Sequence, residues 1–354
     1  MNLDDPKFFQ SAAQKKVLAE IEALPDSLLE GFAIGNRLEL DAPGDLKNIV
    51  ISGTGDSIIG ADLLTAYISA FCSIPVSVWR DYGLPAFASG PQSLVILSSY
   101  SGETQETLSG LEAALQNNCR ILVVCSGGTL VEEAAKAGGR VWKIEGQPSA
   151  RGAIGFLFGL LLAAFQRLRL IPDQDAALRG AVEALKTQQA SLRADSLVSQ
   201  NLAKRMAGQL MGRLVTVFAA GQFVPVARRW KSQINELAKS IAQFESLPEA
   251  DYNTLQGARM PETILLHSMA LFLRAPSDQR QNRLRSNLMR RALLLEGVNT
   301  DFVDARGDTP LAHLWTLVHM GDYIAFYLSA AYGIDPTPAL LPPRENPKSP
   351  KQAR

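Results

Sequence analysis

Short, unbroken apolar runs alternate with longer stretches of helical periodicity over most of this chain. Residues 48–55 (NIVISGTG), 75–80 (PVSVWR), 93–102 (SLVILSSYSG), 120–128 (RILVVCSGG) and 140–146 (RVWKIEG) read as five strands. Most of the strand runs are apolar throughout rather than alternating, as in strands buried on both faces, and helical spacing fills 61–71, 103–118 and 129–138. The pattern predicts α/β architecture: a parallel sheet with helices on both faces. A helical region over 11–40, broken near Pro25, precedes the first strand. The longest apolar stretch, 153–165 (AIGFLFGLLLAAF), is about thirteen residues, too short to span a bilayer, and is expected to be a buried helix.

After Ile171 the chain turns charged and helical, with no strand run over 172–205. A second strand–helix series opens at 213–221 (RLVTVFAAG). Helices are expected over 226–244 and 261–275, then 291–305 (RALLLEGVNTDFVDA) follows, and a long helix over 311–333 closes the series. Two α/β units in sequence account for this most simply. The first takes 1–168 with its leading helix, a helical connector takes 169–205, and the second takes 206–338. The tail, 339–354, is proline-rich and charged and is expected to be disordered.

Composition narrows the function. A length of 354 residues suits two domains. Lys plus Arg number 35 and Asp plus Glu 35, so the basic excess expected of a nucleic-acid binder is missing. The first ten residues, MNLDDPKFFQ, have no basic region followed by an apolar run, so no signal peptide is expected. The three cysteines, Cys72, Cys119 and Cys125, form no spaced cluster, which predicts neither a disulfide framework nor a metal site and fits the cytoplasm. No membrane or nucleic-acid partner is expected.

Two strand-to-helix loops carry candidate chemistry. In Gly53-Thr54-Gly55-Asp56-Ser57 the glycines permit a tight turn with N–H groups facing outward, and the helix that follows adds partial positive charge. Ser99-Tyr100-Ser101-Gly102-Glu103-Thr104 offers three hydroxyls at another helix start, more than one N-cap accounts for. Parallel sheets bind ligands at the carboxyl ends of their strands, where both loops would lie. Together they suggest a phosphoryl group held without a metal. Neither loop has the lysine of a P-loop, which argues against nucleotide hydrolysis.

The segments ISGTGDS, VWRDYGLP, SSYSGETQETL, VVCSGGTLVEEA, GQPSARGAIG, RRWKSQINELAK, PEADYN and MGDYIAFYLSAAYGIDPTP are spread over most of the chain. On these, the first half resembles a sugar isomerase (SIS) domain, and the whole chain resembles the bifunctional phosphoglucose/phosphomannose isomerase family. The resemblance implies two SIS domains, a homodimer, a hexose 6-phosphate ligand and no cofactor. It places Ser57, Ser99, Ser101 and Thr104 on the phosphate, with Gly53 and Gly55 shaping the first loop. It makes Glu236 the base of aldose–ketose isomerisation and puts Arg151 near the reacting carbons, where a fixed cation steadies an enediolate. On spacing alone, Glu236 also reads as a solvated helical residue paired with Lys239.

The chain departs from that family at several points. Where the family has a histidine followed by asparagine, this chain has Tyr252-Asn253. A tyrosine with a pKa of about 10 is a poor proton shuttle at neutral pH. Asp335-Pro336-Thr337-Pro338 runs into Ala339-Leu340-Leu341-Pro342-Pro343 rather than a helix ending near a lysine, and Arg344 and Lys348 are the nearest cations. Asp56 stands where the family prefers glycine, expected to face solvent, and Glu103 stands for a common asparagine. His313 and His319 either pack the last helix or substitute for the missing histidine, and Trp142, Trp230 and Trp315 read as core or interface. Three functional readings stay open: a hexose 6-phosphate isomerase, a silent sugar-phosphate-binding sensor or regulator of the same fold, and an isomerase of another phosphosugar.

Overall fold

The computed structural model describes residues 3–42, 44–146 and 149–337. Two helices lead: α1 (Ala12–Glu22), with Ser11 and Gln14 in a capping box, and α2 (Leu24–Gly35), with Pro25 in its first turn. The expected break near Pro25 is the joint between them, because a helix tolerates proline's missing N–H only where it starts. Next come β1 (Asn48–Ser52), α3 (Asp56–Ile68), β2 (Val76–Trp79), β3 (Ser93–Ser99), α4 (Gln105–Gln116), β4 (Arg120–Cys125), α5 (Thr129–Lys136) and β5 (Arg140–Lys143). Their strands form an all-parallel sheet of order β2-β1-β3-β4-β5. The five strands expected from the apolar runs are these five. Ile49, Val50, Ile51, Val95, Ile96 and Leu97 are sealed from solvent on both faces of the central strands, so neither strand alternates.

The apolar stretch at 153–165 forms α6 (Ile154–Arg167), buried on nearly every side and laid along α2. Then follow α7 (Asp175–Leu192), α8 (Leu202–Leu210), β6 (Leu214–Ala220), α9 (Val224–Leu237), β7 (Ala242–Leu247), α10 (Glu262–Leu266), β8 (Ser268–Arg274), α11 (Arg280–Leu295), β9 (Asn299–Asp304) and α12 (Pro310–Tyr332). The second sheet is also parallel, in the order β7-β6-β8-β9. No described helix is long and apolar enough to cross a membrane.

Two expected helices are corrected. The helix expected over 226–244 stops at Leu237, where Lys239 takes a left-handed φ of 51°, and residues 242–247 form β7 instead. The helix expected over 261–275 is the short α10 followed by β8. Short apolar runs such as SMALFLR fit a buried strand and a buried helix equally well by periodicity, and here pairing with β6 and β9 decides. The tail at 339–354, with Pro338, Arg344 and Lys348, lies outside the described residues.

Helix α12 joins the two sheets. It packs on α1, α7, α8 and α9, and one apolar cluster runs from Leu28 and Ile49 through Trp315 to Trp230 and Tyr327. Trp142, Trp230 and Trp315 are all buried. The two helical histidines are packing residues. Buried His313 meets Ser277 Oγ (2.8 Å) and the Gly307 carbonyl (2.9 Å), and His319 Nε2 lies 3.1 Å from the Ile21 carbonyl. Burial pushes His319 down to about 4, so it stays neutral at pH 7.

Candidate active site

The two hydroxyl-bearing loops leave neighbouring strands at their carboxyl ends. Ser52 of β1 pairs with Leu97 of β3, so Gly53 and Ser98 lie side by side. A Cβ on Gly53 would sit 2.3 Å from the Ser98 carbonyl oxygen, so only glycine lets the loops approach this closely. Ser98 Oγ then donates to the Ser57 carbonyl (2.8 Å) and ties the second loop to the start of α3. Ser57 Oγ donates to the Thr54 carbonyl (3.0 Å). Ser99 Oγ and Thr104 Oγ1 are 3.0 Å apart, the Gly102 N–H donates to Ser99 Oγ (3.1 Å), and the Glu103 N–H donates to Ser101 Oγ (3.2 Å). Gly55 caps α3 with a φ of 63°. Glu103 accepts the Thr129 N–H (2.7 Å) at the start of α5, a helix N-terminus that favours an anion.

Beside these loops lies a buried ionic cluster that sequence reasoning did not assemble. Arg229 of α9 is 2% exposed and grips Asp322 of α12 at both oxygens (3.1 Å each). Its Nη1 donates to Asp56 Oδ1 (3.1 Å) and its Nη2 to the Arg151 carbonyl (3.4 Å). Arg151 in turn pairs with Glu20 of α1, which is 3% exposed. Trp230, the next residue along α9, explains a glycine on α12. A Cβ on Gly321 would fall 2.3 Å from Trp230 Nε1, so RRWKSQINE and GDY interlock. A second bridge joins the units through Asp62 of α3, which takes Arg80 and, at 3.4 Å, Arg228. Asp56 is corrected here. Its side chain is only 14% exposed and faces inward, because Arg229 draws it there. The signal was in the sequence, since Asp56, Arg229 and Asp322 all stand within the segments that carry the resemblance.

Glu236 lies near the carboxyl end of α9, within hydrogen-bond reach of the Asp56 carboxyl. Protein around the carboxyl desolvates it, and the charge of Asp56 adds to the effect. Together these push it up to about 7, while Arg229 and Arg151 pull the other way. The residue nevertheless keeps a face open to solvent. Glu236 is an exposed residue, so its carboxyl is crowded by protein on one side and reachable from solvent on the other. Lys239 Nζ donates to the Glu236 backbone carbonyl (2.6 Å) rather than to its carboxylate, so the alternative of a helical Glu–Lys ion pair is not what the fold makes.

Glu236, Arg151 and the first loop therefore share one region, bound through Asp56 and Arg229. Tyr252 stands apart. It lies past the carboxyl end of β7, 66% exposed, with its ring 5.8 Å from the Arg285 guanidinium. Glu236 lies before the amino end of that strand, and β7's six residues span roughly 20 Å.

Two parallel sheets flanked by helices are the fold seen in solved phosphosugar isomerases. The chain matches a glucose-6-phosphate isomerase like protein from Thermus thermophilus with a TM-score of 0.62 at 20% identity, covering 95% of this chain and 97% of that one. Residues 199–340 match the bacterial phospho-glucose isomerase C-terminal SIS domain. The bifunctional phosphoglucose/phosphomannose isomerase of Caldicellulosiruptor bescii is 34% identical over 319 residues, 89% of this chain and 93% of that protein. Its counterpart from Aquifex aeolicus is 31% identical over 316 residues, 88% and 93%. The chain belongs to the bifunctional phosphoglucose/phosphomannose isomerase family.

Proposed function

We propose that this protein is an aldose–ketose isomerase of hexose 6-phosphates, converting glucose 6-phosphate and mannose 6-phosphate to fructose 6-phosphate without a cofactor. The observation that carries this reading is the set of Glu236, Arg151 and the first hydroxyl-bearing loop, which share one region through Asp56 and Arg229. Ser57, Ser99, Ser101 and Thr104 hold the phosphate. Glu236 takes the proton at C2 as that C–H bond breaks, the electron pair enters a cis-enediolate steadied by Arg151, and the proton returns to C1 while the hydroxyl proton of O2 passes to O1, leaving C2 as the carbonyl. Nothing is oxidised or reduced overall. The test is a coupled assay on purified protein supplied with fructose 6-phosphate, reading both aldose phosphates. Formation of neither aldose overturns the reading.

Ring opening is the step this chain serves least, with Tyr252 in the histidine's place. That observation favours a second reading, a silent sugar-phosphate binder. Hexose phosphates open spontaneously in water, so a protein with the base alone still isomerises the open chain slowly. Tyr252→His should raise turnover by roughly 10-fold or more, in line with a general acid–base group. An unchanged rate would detach residue 252 from the chemistry.

The same reading makes the protein a cytoplasmic homodimer. Within one protomer Tyr252 lies a strand's length from Glu236, so it meets this site only from a second copy across a two-fold axis. Sedimentation at micromolar concentration should give twice the chain mass, and a monomer there would count against the assembly.

A further inference from the structure

In each sheet the strand order reverses at one place. In the first, β1 leads through α3 to β2 on one side, and β3 lies on the other; the loops after β1 and β3 are the hydroxyl-bearing pair. The second sheet repeats the arrangement. β6 leads through α9 to β7 on one side, and β8 lies on the other. Phe218 of β6 pairs with Phe272 of β8, so the loops beyond Ala220 and Arg274 leave side by side. Crevices at such reversals, outside the carboxyl ends of parallel strands, are where open α/β sheets take their ligands. Here a cavity of about 470 Å³ lies between these two loops and the carboxyl-terminal end of α3. Its volume suits a small molecule.

The chemistry of this cavity differs from that of the first-sheet loops. Among the described residues no Lys, Arg or His lines it, whereas Asp278 does. Arg274 and Arg283 line a separate cavity. Asp278 Oδ2 accepts the Ala275 N–H (2.7 Å), and no described residue forms an ion pair with the carboxyl. His313 Nε2 donates to the Gly307 carbonyl (2.9 Å), so its Nδ1 takes the proton of the Ser277 hydroxyl (2.8 Å). The Ser277 oxygen is left as an acceptor, reached by Gln222 Nε2 at 3.4 Å. Asn282 adds a second amide. Tyr67, its hydroxyl fixed on Gln174 Oε1 (2.7 Å), stands edge-on to Phe71 with ring centres 5.2 Å apart, and the two give an apolar wall. A phosphate would meet a carboxylate there and no cation. Acceptors, amide donors and an aromatic wall instead match a ring that carries hydroxyls at its edge and C–H groups on its faces.

We propose that this cavity binds an uncharged monosaccharide, with Asp278 and Ser277 accepting from its hydroxyls, Gln222 and Asn282 donating to them, and Tyr67 and Phe71 packing on the ring. The site stands apart from the isomerase reading. Saturation-transfer NMR on the full chain with D-glucose, D-mannose and D-fructose tests it. At least one sugar should bind, and fructose 6-phosphate should not displace it. Asp278→Asn, whose amide oxygen still accepts the Ala275 N–H, and Gln222→Leu should each weaken binding by about tenfold, as for one lost hydrogen bond, while unfolding near the wild-type temperature. Binding of none of the three sugars, or binding unmoved by both variants, overturns the proposal. So does loss of binding in Ser99→Ala, which would assign the sugar to the first-sheet loops. A sugar signal that the Asp278 and Gln222 variants weaken, in a protein with no turnover, sinks the isomerase reading and leaves this site standing.

Discussion

Glu236→Gln should bind hexose 6-phosphate as the unaltered protein does, and isomerise it 10²- to 10⁴-fold more slowly, the range typical of a lost general base. Glutamine keeps the shape of the side chain and loses only its capacity to take a proton. The loops proposed to hold the phosphate belong to the other sheet and keep their contacts, so calorimetric titration should give an unchanged dissociation constant while the coupled assay loses its signal. Equal rates in the two proteins, with sugar phosphate bound by both, would transfer the protein to the class of silent binders.

Asp322→Ala should lower the unfolding free energy by about 3–5 kcal/mol, the cost typical of removing one partner from a buried ion pair. Arg229 is 2% exposed and loses both of its contacts to Asp322, leaving Asp56 to balance a buried cation alone. Arg229 keeps its proton in the folded state because Asp322 and Asp56 outweigh the burial that opposes it. Denaturant titration measures the loss. Asp322→Asn should cost less, since the amide still accepts one hydrogen bond. A loss below about 1 kcal/mol for the alanine variant would mean that Asp56 suffices to hold Arg229.

The first sheet was plain in the sequence because its central strands are buried on both faces, so the runs are apolar from end to end and glycines mark their ends. The second was harder. β7 carries Gln243, Glu245 and Ser246 and follows α9 after a short link, so nothing in its composition breaks the helical pattern, and only the left-handed Lys239 stops the helix. β8 reads as helix because α10 precedes it without a glycine or proline between. At the site, residue types and loop positions suggested a phosphate before any coordinates, while the base was implied by the family resemblance and not by the spacing of residues. What local sequence does not encode is direction. Asp56 sits in a loop where a carboxylate ordinarily faces water, and its inward turn depends on Arg229, 173 positions away along the chain.

The ionic cluster draws on distant stretches of chain: Glu20, Asp56 with Arg151, Arg229 with Glu236, and Asp322. On the proposed roles, the first sheet holds the anchoring loops without the base, and the second holds the base without the loops. A cut between Leu192 and Leu202, where α7 gives way to α8, would therefore yield two pieces, each catalytically mute. Mixing them would restore turnover only when the halves dock in register, so the molecule lends itself to a split reporter whose read-out is the isomerisation of a metabolite.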